Sequence, residues 1–308
     1  MPRLLTVTSV WPTPDRPNFG IFVANRFRGV PDVTVVTDPR DRWWPWRLVH
    51  FVWRGLSARG PYDGVEAHIL YPAGWVALVV ARLRRVPLVV YAHGTDARSY
   101  FSWGRGYRFF VRQVVRGADL VVTNSEDTAG YLRRIGREPV VIPPGYDDTL
   151  FRPSPRPPGA RGRVLYLGGS TPGKGHEVAR QHATTLAGPG IRDLAPAEVA
   201  SEMAAHDVVL VPSHAEGFGI VAAEAIGSGR WVVARDVGGL RSIITSGVNG
   251  TLVADDDWAG AVAAVPDYDP FTIAQTVDRY RLTASQAAMA DAWSALLRQR
   301  DRGSGEPG

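Results

Sequence analysis

The chain of 308 residues has no cysteine. Disulfides, thiolate metal sites and cysteine nucleophiles are therefore excluded. Lysine is almost as scarce: Lys174 stands alone against 34 arginines. A composition that replaces lysine with arginine wherever it can draws attention to the survivor, because a guanidinium does not mimic a compact ammonium at a tight site; chance is the plain alternative. Long apolar runs are missing too. The longest, Tyr71 to Ala81, is broken by Arg82 and is too short to cross a bilayer. The N-terminal stretch Met1–Thr8 is too short and too polar for a signal peptide, so a cytoplasmic protein is expected, either soluble or at the inner face of the cell membrane. No histidine cluster has ligand spacing, so no metal and no cofactor are expected. No nucleic-acid motif is visible and no nucleic-acid partner is expected.

What is present is ordinary for a globular protein. The hydrophobic fraction is 45% and the charged fraction 21%, which excludes disorder and a coiled coil. The length suggests two domains. Residues 1–150 hold 20 arginines against 13 acidic residues and seven of the ten tryptophans, whereas residues 151–308 hold 15 basic and 17 acidic residues. The two halves thus present different surfaces.

Short β-branched runs alternate with helix-like stretches. Leu4–Val10, Val33–Thr37, Gly64–His68, Leu88–Ala92, Leu120–Thr123 and Val140–Ile142 read as strands. Between them Phe19–Arg28, Gly74–Arg85, Gly106–Arg116 and Ser125–Ile135 read as helices, with Ser125 a plausible cap. A proline-rich linker follows from Phe151 to Gly162. Strands Val164–Leu167, Val208–Val211, Trp231–Ala234 and Gly250–Val253 then alternate with helices near Ile220–Ile226 and Leu240–Thr245. The tail, about 284–300, carries Met289, Trp293, Leu296 and Leu297 at helical spacing, an amphipathic helix. The pattern is α/β: two Rossmann-like, doubly wound domains, 1–152 and 160–280, with the last helix packing back on the first. Such sheets bind ligands at the carboxyl ends of their strands, and two domains facing across a cleft would place a site there.

Two motifs carry chemistry. In Gly168-Gly-Ser-Thr-Pro-Gly173-Lys174-Gly175 the spacing satisfies most of a P-loop, but Gly175 occupies the place where Ser or Thr would hold magnesium. Backbone N–H groups with one ammonium still make an anion site, most simply for a diphosphate; a glycine-rich turn with an exposed lysine is the bland reading. In Pro212-Ser-His-Ala-Glu216-Gly-Phe218-Gly219-Ile220-Val-Ala-Ala-Glu224, two carboxylates lie eight residues apart around a helix start. The amides of Phe218, Gly219 and Ile220 suit an anion, and a carboxylate accepts two hydrogen bonds from sugar or ribose hydroxyls. Glu224 lies in an apolar context that should leave it partly buried.

With these residues in view the chain resembles a retaining glycosyltransferase of family 4, of the GT-B fold. The resemblance rests on Glu216 and Glu224, on Lys174-Gly175, and on Ile142-Pro-Pro-Gly145-Tyr-Asp147-Asp-Thr-Leu-Phe151-Arg-Pro153. It also rests on Val237-Gly238-Gly239-Leu240 with Gly247-Val-Asn-Gly250, His93-Gly94-Thr95-Asp96, and Asn18-Phe19-Gly20-Ile21. It implies transfer of a sugar from a nucleotide-diphospho-sugar to a hydroxyl acceptor. Lys174, with Gly173 and Gly175 beside it, would neutralise the diphosphate. Glu216 would hold the transferred sugar, helped by the amides of Phe218 and Gly219. Glu224 would bind the ribose, and Gly20 would let its loop approach the phosphates. His93 would face the sugar, though a loop histidine capping a strand end is the plainer reading. Asp96 would support that loop or the acceptor side.

Two departures stand out. The arginine usual after the second domain's first strand is absent, so the leaving group would rely on Lys174, backbone amides or an arginine from elsewhere. Only 38 residues lie between Lys174 and Ser213, a shortened segment with Leu186–Ile191 as a reduced remnant. On the acceptor side, Arg40–Arg54 and Tyr100–Arg112 interleave Trp, Phe and Tyr with Arg. That mixture suits an anionic membrane surface and a glycan or lipid-linked acceptor of envelope polysaccharide synthesis; inward-packing aromatics, a soluble natural-product acceptor and a noncatalytic partner protein stay open.

Overall fold

In a computed structural model, residues 2–16, 18–39, 46–159 and 161–303 are described. The chain divides into two compact units, residues 1–143 with 285–308, and residues 144–284. The first unit ends before the expected edge at 152, because Tyr146 and Phe151 lie in the hydrophobic core of the second.

The first unit is built on six parallel strands: β1 (Leu4–Thr8), β2 (Val33–Thr37), β3 (Gly64–His68), β4 (Leu88–Ala92), β5 (Leu120–Thr123) and β6 (Val140–Val141), in the order β2-β1-β3-β4-β5-β6. The second is built on five: β7 (Val164–Tyr166), β8 (Thr185–Leu186), β9 (Val208–Val211), β10 (Trp231–Arg235) and β11 (Gly250–Val253), in the order β11-β10-β9-β7-β8. Each sheet reverses its direction of growth once, between β1 and β3 and between β7 and β9. In open α/β sheets such reversals are where ligands enter.

Parallel sheets are covered on both faces, so their strands read as continuous apolar runs. The two-residue pleat divides each strand between two cores. Leu5, Val7, Val65, Val90 and Val121 face one side of the first sheet; Leu4, Val89, Tyr91 and Val122 face the other. The expected helices appear as Ile21–Arg26, Trp75–Arg84, Arg105–Gly117 and Glu126–Ile135. Ser125 caps the last of these, its side chain accepting the Thr128 N–H at 3.2 Å. Helices at Pro196–Ala205, Trp258–Ala263 and Pro270–Gln275 were not expected. The latter two are short and start at Asp257 and Asp269, whose carboxylates cap them.

The C-terminal helix, Leu282–Gly303, brings Met289 and Trp293 into the core beside β4. Trp293 is wholly buried, and a Cβ on Gly64 would meet its ring at 2.4 Å. Glycine at the start of β3 is therefore set by the tryptophan. Trp293→Ala should lower the unfolding free energy of the first unit by about 3–5 kcal/mol. Leu83→Ala, at a side chain 65% exposed, should stay within about 0.5 kcal/mol. Urea titration of both variants checks the pair.

Candidate active site

In the second unit the reversal between β7 and β9 opens a cavity of about 210 Å³. Its walls come from the ends of both strands, Tyr166–Gly168 and Leu210–Val211, with Ser213, Pro189 and Val221, and it is bordered by Lys174 and Glu216. Lys174 Nζ lies 2.7 Å from Glu216 Oε1. The Lys174 side chain is 42% exposed and that of Glu216 15%, so this is a charged pair at the border of a cavity.

The backbone explains the pairing. After β7 the loop turns through a short 3-10 segment, Pro172–Lys174, and reverses at Gly175 with φ +72° before the helix His176–His182. A Cβ on Gly175 would stand 2.2 Å from the Pro212 carbonyl oxygen. Only glycine allows both the turn and that approach, which brings Lys174 beside the loop that carries Glu216. Gly173 has nothing against its face; its carbonyl accepts the His214 N–H at 3.1 Å. Gly238 and Gly239 pack on the backbone of Glu216–Phe218, and the Gly239 N–H bonds the Glu216 carbonyl at 3.1 Å.

The glycine loop does not present the row of free amides expected of it. The N–H groups of Gly169, Ser170, Lys174 and Gly175 are bonded to the carbonyls of Ala187, Pro189, Thr171 and Pro172. The shortened segment after β8 supplies two of those carbonyls. Anion attraction here falls mainly to the Lys174 ammonium. No arginine lines the cavity among the described residues. Arg235, at the end of β10, is tied to Asp256 at 2.8 Å and lies over the Trp258 ring.

Gly219, in the left-handed region, opens the helix Ile220–Gly227. First-turn N–H groups have no acceptor within their own helix, and Ile220 begins that turn. Phe218 turns its ring into the core against Tyr280 and can offer a ligand only its backbone. Glu224 lies in this helix, outside the cavity lining. Burial, with Asp147 nearby, pushes its carboxyl up to about 8.

In the first unit Gly20, at φ +73°, stands where a Cβ would meet the backbone of Val10 and Trp11, 2.6 Å from the Val10 carbonyl carbon. It brings the start of the helix Ile21–Arg26 against the end of β1. His93 follows β4. Its ring stacks on Tyr91 at 4.4 Å, and its Nε2 lies 3.0 Å from His68 Nδ1. Burial first, then His68, hold its pKa well below the usual histidine value. Asp96 is a clamp: its two oxygens accept the N–H groups of Leu70 and His93, each at 2.9 Å. It joins the loops after β3 and β4, and burial raises its pKa despite those donors.

Glu66, His68 and Arg26 went unnoticed in the sequence. All three are buried, and a Glu and a His inside a strand covered on both faces were the available signal. Among the described residues, no three His, Asp or Glu side chains converge as a metal site. No described helix is long and apolar enough to cross a membrane.

Comparison with known proteins fits this arrangement. Residues 4–150 match Glycosyltransferase Family 4, and residues 160–267 match Glycosyl transferases group 1. The D-inositol 3-phosphate glycosyltransferase of Geodermatophilus obscurus is 32% identical over 266 residues, covering 67% of this chain and 59% of that protein. That of Rhodococcus erythropolis is 28% identical, covering 72% and 65%. The chain thus spans about six-tenths of the length of these curated relatives. Among solved structures, sucrose-phosphate synthase from Thermosynechococcus elongatus superposes with a TM-score of 0.75 at 19% identity, covering 96% of this chain and all of that one. Anabaena HepE in complex with UDP and glucose superposes at 0.71 and 18% identity, with the same coverage. These likenesses show the GT-B fold, and with the two sequence matches they establish that the chain belongs to glycosyltransferase family 4.

Proposed function

We propose that this chain moves a sugar, with retention of configuration, from a nucleotide-diphospho-sugar to a hydroxyl acceptor. The carrying observation is the Lys174–Glu216 pair, 2.7 Å apart, bordering the cavity at the β7/β9 reversal. A diphosphate would replace Glu216 as the partner of the ammonium. Glu216 would then be released to accept hydrogen bonds from sugar hydroxyls. As the glycosidic bond breaks, charge builds on the departing phosphate, and a fixed cation there stabilises the transition state more than the ground state. In this reading a leaving phosphate oxygen accepts the acceptor's proton on the same face, and no protein nucleophile is needed. Glu224 receives the ribose and His93 a sugar hydroxyl. The Asp96 clamp acts only through its loops. No metal is assigned a role.

The acceptor proposed is a lipid-linked intermediate of envelope polysaccharide synthesis, met at an anionic membrane surface. Supporting this, the helix Trp46–Ser57 exposes Trp46, Val49, Trp53 and Leu56 along one stripe while Phe51 is buried. Trp103 and Phe109 are exposed as well. Trp43 and Trp44 lie outside the described residues. Indole rings at headgroup depth beside arginines fit such a surface. The curated relatives are named for D-inositol 3-phosphate, so a small phosphorylated acceptor belongs in any acceptor panel.

Three outcomes are expected. Calorimetry with UDP-, GDP- and dTDP-sugars, with ATP–magnesium as control, should show binding of one nucleotide-sugar class. Lys174→Ala should weaken that binding and cut turnover by about 10²–10³, far more than Asp96→Ala does per folded molecule. Lys174→Arg should not restore it. No nucleotide-sugar binding, or wild-type turnover in Lys174→Ala, rejects the donor site. Second, the wild type should sediment with anionic vesicles at low salt, less at high salt, and Trp46→Ala/Trp53→Ala should not; wild-type protein left in the supernatant favours a soluble acceptor. Third, Glu224 has a folded pKa of about 8, above its unfolded value. Its stabilising contribution is complete below about pH 4.3 and is lost as pH rises through 8. Glu224→Gln should therefore flatten the decline in stability over that window. At pH 9 it should exceed the wild type by on the order of 1–3 kcal/mol, measured by urea denaturation.

A further inference from the structure

The first unit contains a buried chain of polar groups that ends at His93. Glu66 and His68 point from β3 to the face of the sheet where Tyr91 and Trp293 lie, and both are fully buried. Glu66 Oε2 accepts the Trp293 indole N–H at 2.7 Å and lies 3.5 Å from Arg26 Nη2. Glu66 Oε1 lies 3.2 Å from His68 Nε2, close but short of hydrogen-bond geometry, and neither atom has another partner among the described residues; His68 Nδ1 lies 3.0 Å from His93 Nε2. Phe27 packs edge-on to His68, and Tyr91 stacks on both imidazoles while its hydroxyl donates to the Ile142 carbonyl. Phe22 tilts against His93. The remaining acid nearby, Asp96, is engaged by two main-chain N–H groups.

The order of protons follows from charge. Arg26 already balances Glu66, so a protonated His68 would leave a net positive charge among fully buried side chains, at a large cost. A neutral imidazole at this position carries no such cost. A bare Nε2 lone pair 3.2 Å from a carboxylate oxygen would be repelled, which places the His68 proton on Nε2. Nδ1 is then an acceptor, and the group facing it, His93 Nε2, must carry a proton. His93 has no acid beside its ring to hold a second proton. No described residue bonds its Nδ1, and the residue is partly exposed.

We propose that Glu66 and His68 are positioning residues that fix His93 as the neutral Nε2–H tautomer, so that its Nδ1 accepts a hydrogen bond from a substrate hydroxyl. The substrate half rests on the reading above that His93 meets the sugar; the tautomer half does not. His93 then serves as an acceptor and not as a donor or a cation, a choice dictated from two side chains away.

Glu66→Gln is the informative variant. Trp293 and Arg26 both need an acceptor at the Oε2 position, so the amide oxygen goes there and the NH₂ faces His68. That reverses every step: His68 Nε2 becomes an acceptor, its Nδ1 a donor, and His93 takes its proton on Nδ1. Long-range ¹H–¹⁵N spectra of ¹⁵N-histidine-labelled full-length protein, without substrate, read this directly. The wild type should show His93 protonated at Nε2 from pH 6 to 8, and Glu66→Gln should show it protonated at Nδ1. A wild-type His93 protonated at Nδ1, or an unmoved tautomer in folded Glu66→Gln, overturns the proposal. If Glu66→Gln does not fold, with Arg26 left unbalanced, His68→Phe keeps the Glu66–Arg26–Trp293 cluster and the ring stack. It should give a tautomer mixture at His93; a pure Nε2–H form overturns the proposal. Calorimetry then isolates the substrate half. Glu66→Gln should weaken the nucleotide-sugar about tenfold while binding the sugar-free nucleotide diphosphate as the wild type does. Inversion with unchanged sugar affinity overturns the substrate contact alone.

Discussion

A parallel sheet covered on both faces has no opening along its length. Only at a reversal of strand order do the two flanking connections leave on opposite faces and part from each other, leaving a gap at the carboxyl ends. Both units obey this constraint. Lys174 and Glu216 stand at the β7/β9 reversal. Gly20 packs where the chain leaves β1, and His68 ends β3. The glycines that the motifs share are the means by which loops from neighbouring strands come within contact there. Gly175 approaches the Pro212 carbonyl, and Gly238 the Glu216 carbonyl. Chemistry and backbone packing thus meet at the same few positions.

Charge is handled differently in the two units. At the cavity of the second, the Lys174–Glu216 pair is partly exposed, an arrangement that exchanges partners at little cost. In the first, Glu66, Arg26 and His68 are fully enclosed. The Glu66 carboxyl is held down at about 2: burial opposes its charge most strongly, but Arg26, His68 and Trp293 together outweigh burial. The Glu66–Arg26 pair is costly to break, because deleting either partner leaves the other's charge buried and alone. The first arrangement suits a site that must yield to a ligand, and the second suits a scaffold that must not move. Asp96 belongs with the second, as its carboxylate holds two loops by their main chain.

The strands were legible because parallel, doubly covered strands write themselves as short β-branched runs, and ten of the eleven could be read. The exception, β8, is two residues long and lies in the shortened segment; at that length no periodicity exists to read. Helices Trp258–Ala263 and Pro270–Gln275 were missed for the same reason: six residues each, they depend on aspartate caps. Lys174, Glu216 and Glu224 were singled out through spacing and through the rarity of lysine. Glu66 and His68 were not, since their meaning lies in partners 40, 227 and 25 residues away along the chain. Polar residues in a buried strand mark a network without naming its members.

The shortened segment changes what the second unit can enclose. The carbonyls of Ala187 and Pro189 close on the glycine loop from one side and take up the N–H groups of Gly169 and Ser170. Gly169 sits so near Pro189 that a Cβ would come within 2.4 Å of its carbonyl oxygen. The loop is thereby stiffened, which favours a fixed ammonium at Lys174, but its capacity to wrap a phosphate with amides is reduced. The cavity left beside it, about 210 Å³, is below the range of about 300–1,000 Å³ usual for sites that enclose a whole small molecule. On the proposed reading, the charged side chains at its border, Lys174 and Glu216, would then carry more of the donor contact than the amides of the loop, which are already bonded.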